Sequence, residues 1–399
     1  MEKQIVTNSR EFSSLREPWD ELHTALHGTV YQSFDWLHAW WTTFGDLYRL
    51  RLLTVWDGPR LVAAFPCYIE KHDMKITTVS CLRMLGEHSV LGEYSPLVLP
   101  KYEASVMHLA AGFLASELND QRCDFVDFHH FSPSLFLAGL LCQLKRRGIA
   151  VNYEERSLPR VVMQNPPDWK TYLAGLSYNQ RGLLRRRRRA LEKRGASFEV
   201  VTGPEDPGAF VDFVSLHTAV WQDKGERGFF NTRHRFEEFH RDVTDRLLRN
   251  GVARLYFCTH KGERIAGLLT YATHDLFSIY LSGRLPNHEL ARYSPGTVLM
   301  SVVFQDAIEQ GYRMCDLLEG TNDYKFRLGG NISWYSRATL FRRGVQGTKG
   351  QFFLSTLRLR DAGRRFARQD RSSSRASHVS SYPAHQTRQY ADAAHNNRS

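Results

Sequence analysis

Residues 252–273, VARLYFCTHKGERIAGLLTYAT, alternate apolar and polar side chains, break at Lys261-Gly262 and alternate again. Two alternating runs separated by a polar residue and a glycine predict a β-hairpin with a two-residue turn, because such turns need positive φ. The first half of the chain repeats the pattern: RLRLLTVWDGPRLVAAFPCYI (49–69) alternates, turns at Asp57-Gly58 and alternates once more. Placing Gly58 on Gly262 also places Arg60 on Arg264 and Leu61 on Ile265. The echo continues downstream. GEYSPLVLP (92–100) precedes a helical stretch (103–118) and RCDFVDFHH (122–130), while RYSPGTVLM (292–300) runs into a helix and then YRMCDLLEG (312–320). A unit of about 170 residues present twice is the simplest architecture. The expected fold class is mixed α/β: two tandem units, each a mixed, largely antiparallel sheet flanked by helices. Consecutive prolines stop helices and central strands, so the boundary is expected near Asn165-Pro166-Pro167, giving units 1–165 and 166–345.

Composition bounds the rest. With 42% apolar and 12% aromatic residues the 399-residue chain can build real cores, and it holds no apolar run long enough to cross a bilayer and no secretory leader. A cytoplasmic protein is expected, free or resting against the inner face of the membrane. Cys67, Cys81, Cys123, Cys142, Cys258 and Cys315 are widely spaced, without a C-x-x-C or a matching histidine pair, and read as small buried hydrophobes; no metal is expected. The net charge of +11 is uneven: residues 346–399 hold ten Lys or Arg against three Asp, a net of +7, leaving +4 for everything before them. That tail is poor in large aliphatics and is expected to be disordered from about Arg371, acting as a solubilising terminus.

Two helices stand out. In the stretch 294–311, Ser294 falls at the N-cap, Pro295 at the first helical position and Gly311 just beyond the end. Apart from a polar stripe of Ser301, Gln305 and Glu309 with Asp306, the helix is apolar and must be packed on most sides, with its unpaired N–H groups directed at the loop after the strand 276–283. Gly296 removes the side chain that would hold an anion away, so Ser294, Pro295, Gly296 and Thr297 form a cradle for a pyrophosphate. The second helix, 178–195, starts at Ser177 with Gln180 three residues on, and carries Arg181, Arg185 to Arg189, Lys193 and Arg194 against a single Glu192. Leu176, Leu183, Leu184, Ala190 and Leu191 give it a docking seam; the arginines read first as a solvated face, then as a surface for an anionic partner, with Arg181, Arg185 and Arg188 as the named contacts.

The order of these elements, with DWLHAWW, LSYNQRGLLRR, LHTAVW, ERIAGLL, YSPG, CDLLEG and DYKF between Trp19 and Arg343, resembles the GNAT acyltransferases. More narrowly it resembles the CelD/BcsL-type branch associated with cellulose biosynthesis, and YKFRLG (324–329) is similar to a segment of the FemABX peptidyltransferases, which carry two GNAT units. The resemblance implies direct transfer of an acyl group from coenzyme A to an amine or hydroxyl acceptor, in polysaccharide or envelope metabolism, by the second unit. The first unit would be a degenerate copy shaping the acceptor cleft. In such a fold the pantetheine lies between the strands 276–283 and 312–318, beside Tyr280 and Ser282. RYSPG stands where GNAT proteins carry Arg/Gln-x-x-Gly-x-Gly/Ala. Catalytic candidates are Asp316 and Glu319 as bases, Tyr324 as the acid for the departing thiolate, Lys325 as the family's lysine, and His217. Structural readings compete for each: Asp316 capping a loop, Glu319 and Lys325 solvated, Tyr324 packing, His217 a satisfied partly buried histidine. The rival functions are a FemABX-like transferase using charged tRNA, with the arginine run on RNA or a phospholipid-linked sugar, and a non-catalytic protein gripping anionic polymers.

Overall fold

The computed structural model describes residues 1–74, 77–86, 92–232, 234–344 and 350–356. The tail expected to be disordered from Arg371 lies outside the described residues. Residues 350–356, from the unit Thr348–Ser399, are helical. Both sheets belong to the compact unit Met1–Gly347.

The first half supplies strands β1 (Glu2–Val6), β2 (Arg49–Leu50), β3 (Leu52–Asp57), β4 (Arg60–Phe65), β5 (Cys67–Met74), β6 (Thr77–Met84), β7 (Leu97–Val98), β8 (Phe125–Phe131) and β9 (Ile149–Gln164). The second supplies β10 (Ala196–Val201), β11 (Ala253–His260), β12 (Glu263–Thr273), β13 (Leu276–Arg284), β14 (Met314–Glu319) and β15 (Asn331–Arg342). A small sheet runs β1-β3-β4-β7, and a large one runs β10-β11-β12-β13-β14-β9-β15-β8-β6-β5-β2. Followed inward from either end, the large sheet is antiparallel until a single parallel pair, β13 with β14 in one half and β6 with β8 in the other. The final strands then change places: β9 pairs with β14, β15 pairs with β8, and the two pair with each other along most of their length. The architecture is the expected mixed α/β tandem, but its sheet is continuous. The pairing of β9 and β15 is what makes it so.

The second hairpin forms as its sequence predicts. His260 pairs with Glu263, and Lys261 (φ 53°) and Gly262 (φ 80°) both occupy the left-handed region that a type I′ turn requires. In the first hairpin Asp57 pairs with Arg60, so the turn residues are Gly58 (φ 58°) and Pro59. Proline cannot take positive φ, which moves the glycine to the first turn position. Gly58 is therefore not the counterpart of Gly262. Tyr94-Ser95-Pro96 likewise leads into β7 and its helix begins only at Glu103, whereas Pro295 is itself the first residue of a helix. The duplication lies in the order of elements, and the matched letters are offset from it.

Aromatic packing locks the halves together. Trp36, from the helix Phe34–Phe44 that holds DWLHAWW, meets Phe239 edge-on at 5.2 Å and Tyr271 at 5.4 Å, both second-half residues. A separate core packs the helix Pro295–Glu309 and the arginine helix Tyr178–Glu192 against the second half of the sheet. Ser301, expected on a polar stripe, is buried there, its hydroxyl donating to the Val298 carbonyl. Of the six cysteines, Cys142 is exposed rather than buried; the other five are buried, as thiols. No helix among the described residues is long and apolar enough to cross a membrane.

Candidate active site

β13 and β14 pair only at Leu276–Met314, Phe277–Cys315 and Ser278–Asp316, then part. Two bulges bend them away from each other. In β13, Tyr280 is the extra residue between the pairs Leu269–Leu281 and Thr270–Ile279. In β14, Leu317 and Leu318 face one residue of β9 between Asp316–Val162 and Glu319–Arg160, with Leu318 at φ 56°. Along the end of β13 lies a cleft of about 400 Å³ whose walls include Gly267 and Leu268 from β12, Ser282 and Arg284 from β13, Gly296 and Thr297 from the start of the helix Pro295–Glu309, and Tyr324.

The helix start leaves one amide free, that of Gly296, since Pro295 has no N–H. Ser294 sits in the left-handed region (φ 53°) with its side chain turned away from capping, and its carbonyl accepts from the N–H groups of Thr297 and Val298. A side chain added at Gly296 would meet only Arg284 Cδ, at 4.0 Å, so this face of the first turn is open to the cleft. The unpaired Gly296 N–H and the helix dipole favour an anion here, and Arg284 forms no ion pair among the described residues. At Gly283 the opposite holds: a Cβ would lie 2.4 Å from the His217 backbone nitrogen, because the helix Ala209–Asp223 crosses β13 in direct backbone contact.

The structure separates the sequence-predicted residues. Ser282, Ser294, Pro295, Gly296, Thr297 and Tyr324 all line the cleft. Tyr280 does not: its bulge turns the ring into the core, where its hydroxyl meets His240 Nε2 at 2.8 Å. His217 has both ring nitrogens engaged. Trp221 Nε1–H donates to its Nε2 at 3.0 Å, so Nδ1 carries the proton and donates to the Ser282 carbonyl at 2.8 Å. That ring fastens the cleft wall to the helix and has no lone pair left for an incoming proton. Asp316, buried at the last pair before β13 and β14 part, accepts from Arg160 at 3.2 Å and from the Leu318 N–H at 2.8 Å. Burial pushes its pKa up, against the pull of Arg160. Glu319 lies 3.3 Å from His130 Nε2.

Lys325 is neither a surface lysine nor a cleft residue. It is 5% exposed and donates to the carbonyls of Leu317 (2.6 Å), Leu318 (3.3 Å) and Glu319 (2.5 Å), which ties down the β14 bulge. Burial lowers its pKa to about 8. Lys325→Ala is expected to cost about 2–3 kcal/mol by leaving buried carbonyls unpaired. In urea denaturation the variant should therefore unfold well before the wild type; an unchanged midpoint would return Lys325 to a purely chemical role. Tyr324 differs: it is 38% exposed, lines the cleft, and its hydroxyl has no hydrogen-bond partner among the described residues. Burial raises its pKa, so it stays a proton donor at neutral pH.

Burial also lowers the pKa of His23, His38, His130 and His217. For a base depressed in the folded state, the unfolded chain takes up protons first, and stability falls as pH drops below about 6.5. The thermal midpoint is expected to fall by several degrees between pH 7 and pH 5, less steeply in His217→Gln. A midpoint constant over that range would show these rings to be protonated without cost.

On the arginine helix, Ser177 accepts from the Gln180 N–H, and Leu184 and Leu191 are buried. Arg181 donates to the Leu173 carbonyl, and Arg188 pairs with Glu192 and Gln305, so both serve the protein's own packing. Arg185 is exposed. Two residues of the site are not among the sequence-predicted ones. Arg284 carries a local signal, as the basic residue ending the strand before the cradle; Arg160 carries none, since its partner lies 156 residues away.

One nearby cluster resembles a metal site and behaves otherwise. His260 Nε2 donates to the Arg194 carbonyl at 3.1 Å, and His288 Nδ1 accepts from the Leu290 N–H. The remaining proton therefore sits on His288 Nε2, 3.4 Å from His260 Nδ1, as in a hydrogen-bonded pair. With the Lys261–Glu289 ion pair at 2.8 Å, it pins the loop 285–290 to the β11–β12 turn. The first half has its own cleft, of about 320 Å³, lined by Glu93 and Glu103 and by no lysine or arginine. Glu103 opens the helix Glu103–Asn119, so the end that would attract an anion is already neutralised.

Residues 179–326 match the family model of the acetyltransferase (GNAT) domain. The fold of the chain is tandem GNAT-like. FemX superposes with a TM-score of 0.59 at 11% identity, over 84% of this chain and 97% of FemX. The C-terminal domain of a putative lysylphosphatidylglycerol synthetase from Agrobacterium fabrum superposes at 0.50, also at 11% identity, over 88% of this chain and 97% of that one. By sequence, no curated protein matches. The GNAT match covers the arginine helix, the splayed strands and the cradle, and stops at the short helix Asp323–Arg327 that carries Tyr324.

Proposed function

We propose that the second half transfers an acyl group from a coenzyme A thioester to an amine or hydroxyl acceptor by direct attack. The observation that carries the reading is the cleft along the end of β13, past the point where it parts from β14, with the open helix start at Gly296 and Arg284 among its walls. A diphosphate fits that cationic end. The pantetheine would run between the parted strands, where β13 offers unpaired backbone groups to its amides. When bound, the thioester supplies the activated carbonyl; this chain's own residues position it and exclude water, and the Tyr324 hydroxyl stands in the cleft to protonate the departing thiolate. Asp316, shielded below the apex, keeps the strand ends in place and does not act as the base. In this reading the domains divide at about residues 165–166, the second half binding the donor and the acid-lined first half shaping the acceptor side. A saccharide or envelope component as acceptor follows from the resemblance to the CelD/BcsL-type proteins.

The test is a titration panel of acetyl-CoA, longer acyl-CoAs and uncharged tRNA. Micromolar binding of a thioester supports the reading. Binding of tRNA without any thioester would replace it with the FemABX-like alternative, which the FemX-like fold favours and which would use the exposed Arg185, Arg186 and Arg189 as the RNA contact.

A further inference from the structure

The cleft of the first half follows the plan of the cleft along β13, with its charge inverted. Each lies at the starts of the two helices that follow a pair of parallel strands: Pro295–Glu309 and Asp323–Arg327 after β13 and β14, Glu103–Asn119 and Leu135–Arg146 after β6 and β8. Against Gly296 and Arg284 in the second half stand Glu103 and Glu93 in the first, with no lysine or arginine among the described lining residues.

The other polar groups of this cleft are spent on one another. Gln32 Nε2 donates to the Ser95 carbonyl at 2.7 Å, and its Oε1 accepts from the Thr29 N–H at 3.0 Å. The Ser95 hydroxyl donates to Glu93 at 3.1 Å and accepts from the Ser132 N–H at 3.2 Å, while Ser134 caps the helix Leu135–Arg146. These bonds fix the wall and leave the carboxylates as its unanswered charge. Glu103 forms no ion pair among the described residues. Glu93 shares Arg160, 3.6 Å away, with Asp316, so one guanidinium faces two carboxylates. Two acids alone would attract no more than counter-ions. Here they border a buried apolar wall of Leu97, Phe131, Phe136 and Leu140. An ammonium gains a charge-assisted bond at such a place, and the carbon it carries covers the wall. At about 320 Å³ the space lies at the small end of ligand pockets, which keeps that body compact.

We infer that the first half's cleft binds a primary ammonium carried on a compact apolar body, and that it is not a second coenzyme A site. Its use as the acceptor, then an amine and not a hydroxyl, rests on the reading above; the binding does not.

Full-length protein is titrated at neutral pH with three matched probes: 2-phenylethylamine, 2-phenylethanol and 3-phenylpropionate. The wild type should prefer the amine to the alcohol about tenfold and bind the carboxylate weakest. Glu103→Gln should lose most of that preference with its affinity for the alcohol unchanged. Glu103→Lys should reverse it, taking the carboxylate above the amine. Lysine at a helix start is unfavourable, so Glu103→Gln carries the decision if the lysine variant does not fold. Equal affinities for amine and alcohol in the wild type, no binding of either at millimolar concentration, or a preference that survives the substitutions overturns the site. So does coenzyme A binding that Gly296→Asp leaves alone and 2-phenylethylamine displaces. If the amine preference holds and acetyl-CoA does not bind, the site stands and the thioester reading falls. Tight acetyl-CoA binding without an amine preference does the reverse.

Discussion

Gly296→Asp should weaken acetyl-CoA binding about a hundredfold and leave the fold intact or slightly more stable. The two effects have opposite signs for one reason. The position is the second of a helix, where a carboxylate interacts favourably with the dipole, by about 0.3–1 kcal/mol. The added Cβ meets nothing closer than Arg284 Cδ at 4.0 Å, so it displaces no packed neighbour. With a diphosphate in the cradle the same carboxylate faces a like charge. At about 5 Å and an effective dielectric near 20, that repulsion is about 3 kcal/mol. Gly296→Ala, which fills the same space without charge, should keep most of the affinity. Calorimetry on the pair separates charge from bulk, and equal affinities for wild type and Gly296→Asp would place the donor elsewhere.

What can be read in the sequence, and what cannot, divides by range of interaction. The Lys261-Gly262 turn, the Pro295 helix start and Gly311 beyond the helix end are all decided within a few residues, and all form as the sequence predicts. Tyr280 departs from its expected place because a bulge shifts the alternation by one, and a bulge leaves no mark in a run such as LFSIYLSG. Lys325 has the look of a surface residue in sequence because its three acceptors are backbone carbonyls made available only by the bent end of β14. The twin prolines after Gln164 do mark the end of a strand, but nothing near them says that the strand pairs in the other half of the sheet. Likewise, the five consecutive arginines look like one feature. Packing splits them, since Arg188 turns inward to Gln305 while Arg185 stays in water.

That exchanged strand leads to the second large expectation: Arg160→Met should cost about 3–5 kcal/mol in urea denaturation. Arg160 reaches from β9 to Asp316 at 3.2 Å, to the Tyr335 hydroxyl at 3.2 Å and to Glu93 at 3.6 Å, with its guanidinium 4.5 Å from the Tyr335 ring centroid. Removing it strands a carboxylate that is 2% exposed and keeps, among the described residues, only the Leu318 N–H as a hydrogen-bond donor. The pH dependence identifies the cause. Burial already raises the Asp316 pKa, and losing the cation raises it further. A carboxylate whose folded pKa exceeds its unfolded value binds protons preferentially in the native state, so stability is regained as pH falls toward the unfolded value of about 3.9. The defect should thus be larger at pH 8 than at pH 5, where acid destabilisation from the buried histidines is measured on the wild type and subtracted. Arg160→Met combined with Asp316→Asn removes the stranded charge and should recover a good part of the loss. A defect under about 1 kcal/mol, or one that pH and the second substitution leave untouched, would mean that water already reaches the pair. The apex where β13 and β14 part would then be held by backbone bulges alone. If the defect appears as described, the first half does more than shape an acceptor cleft: through Arg160 it holds shut the floor of the second half's site, which ties the activity of one copy to the presence of the other.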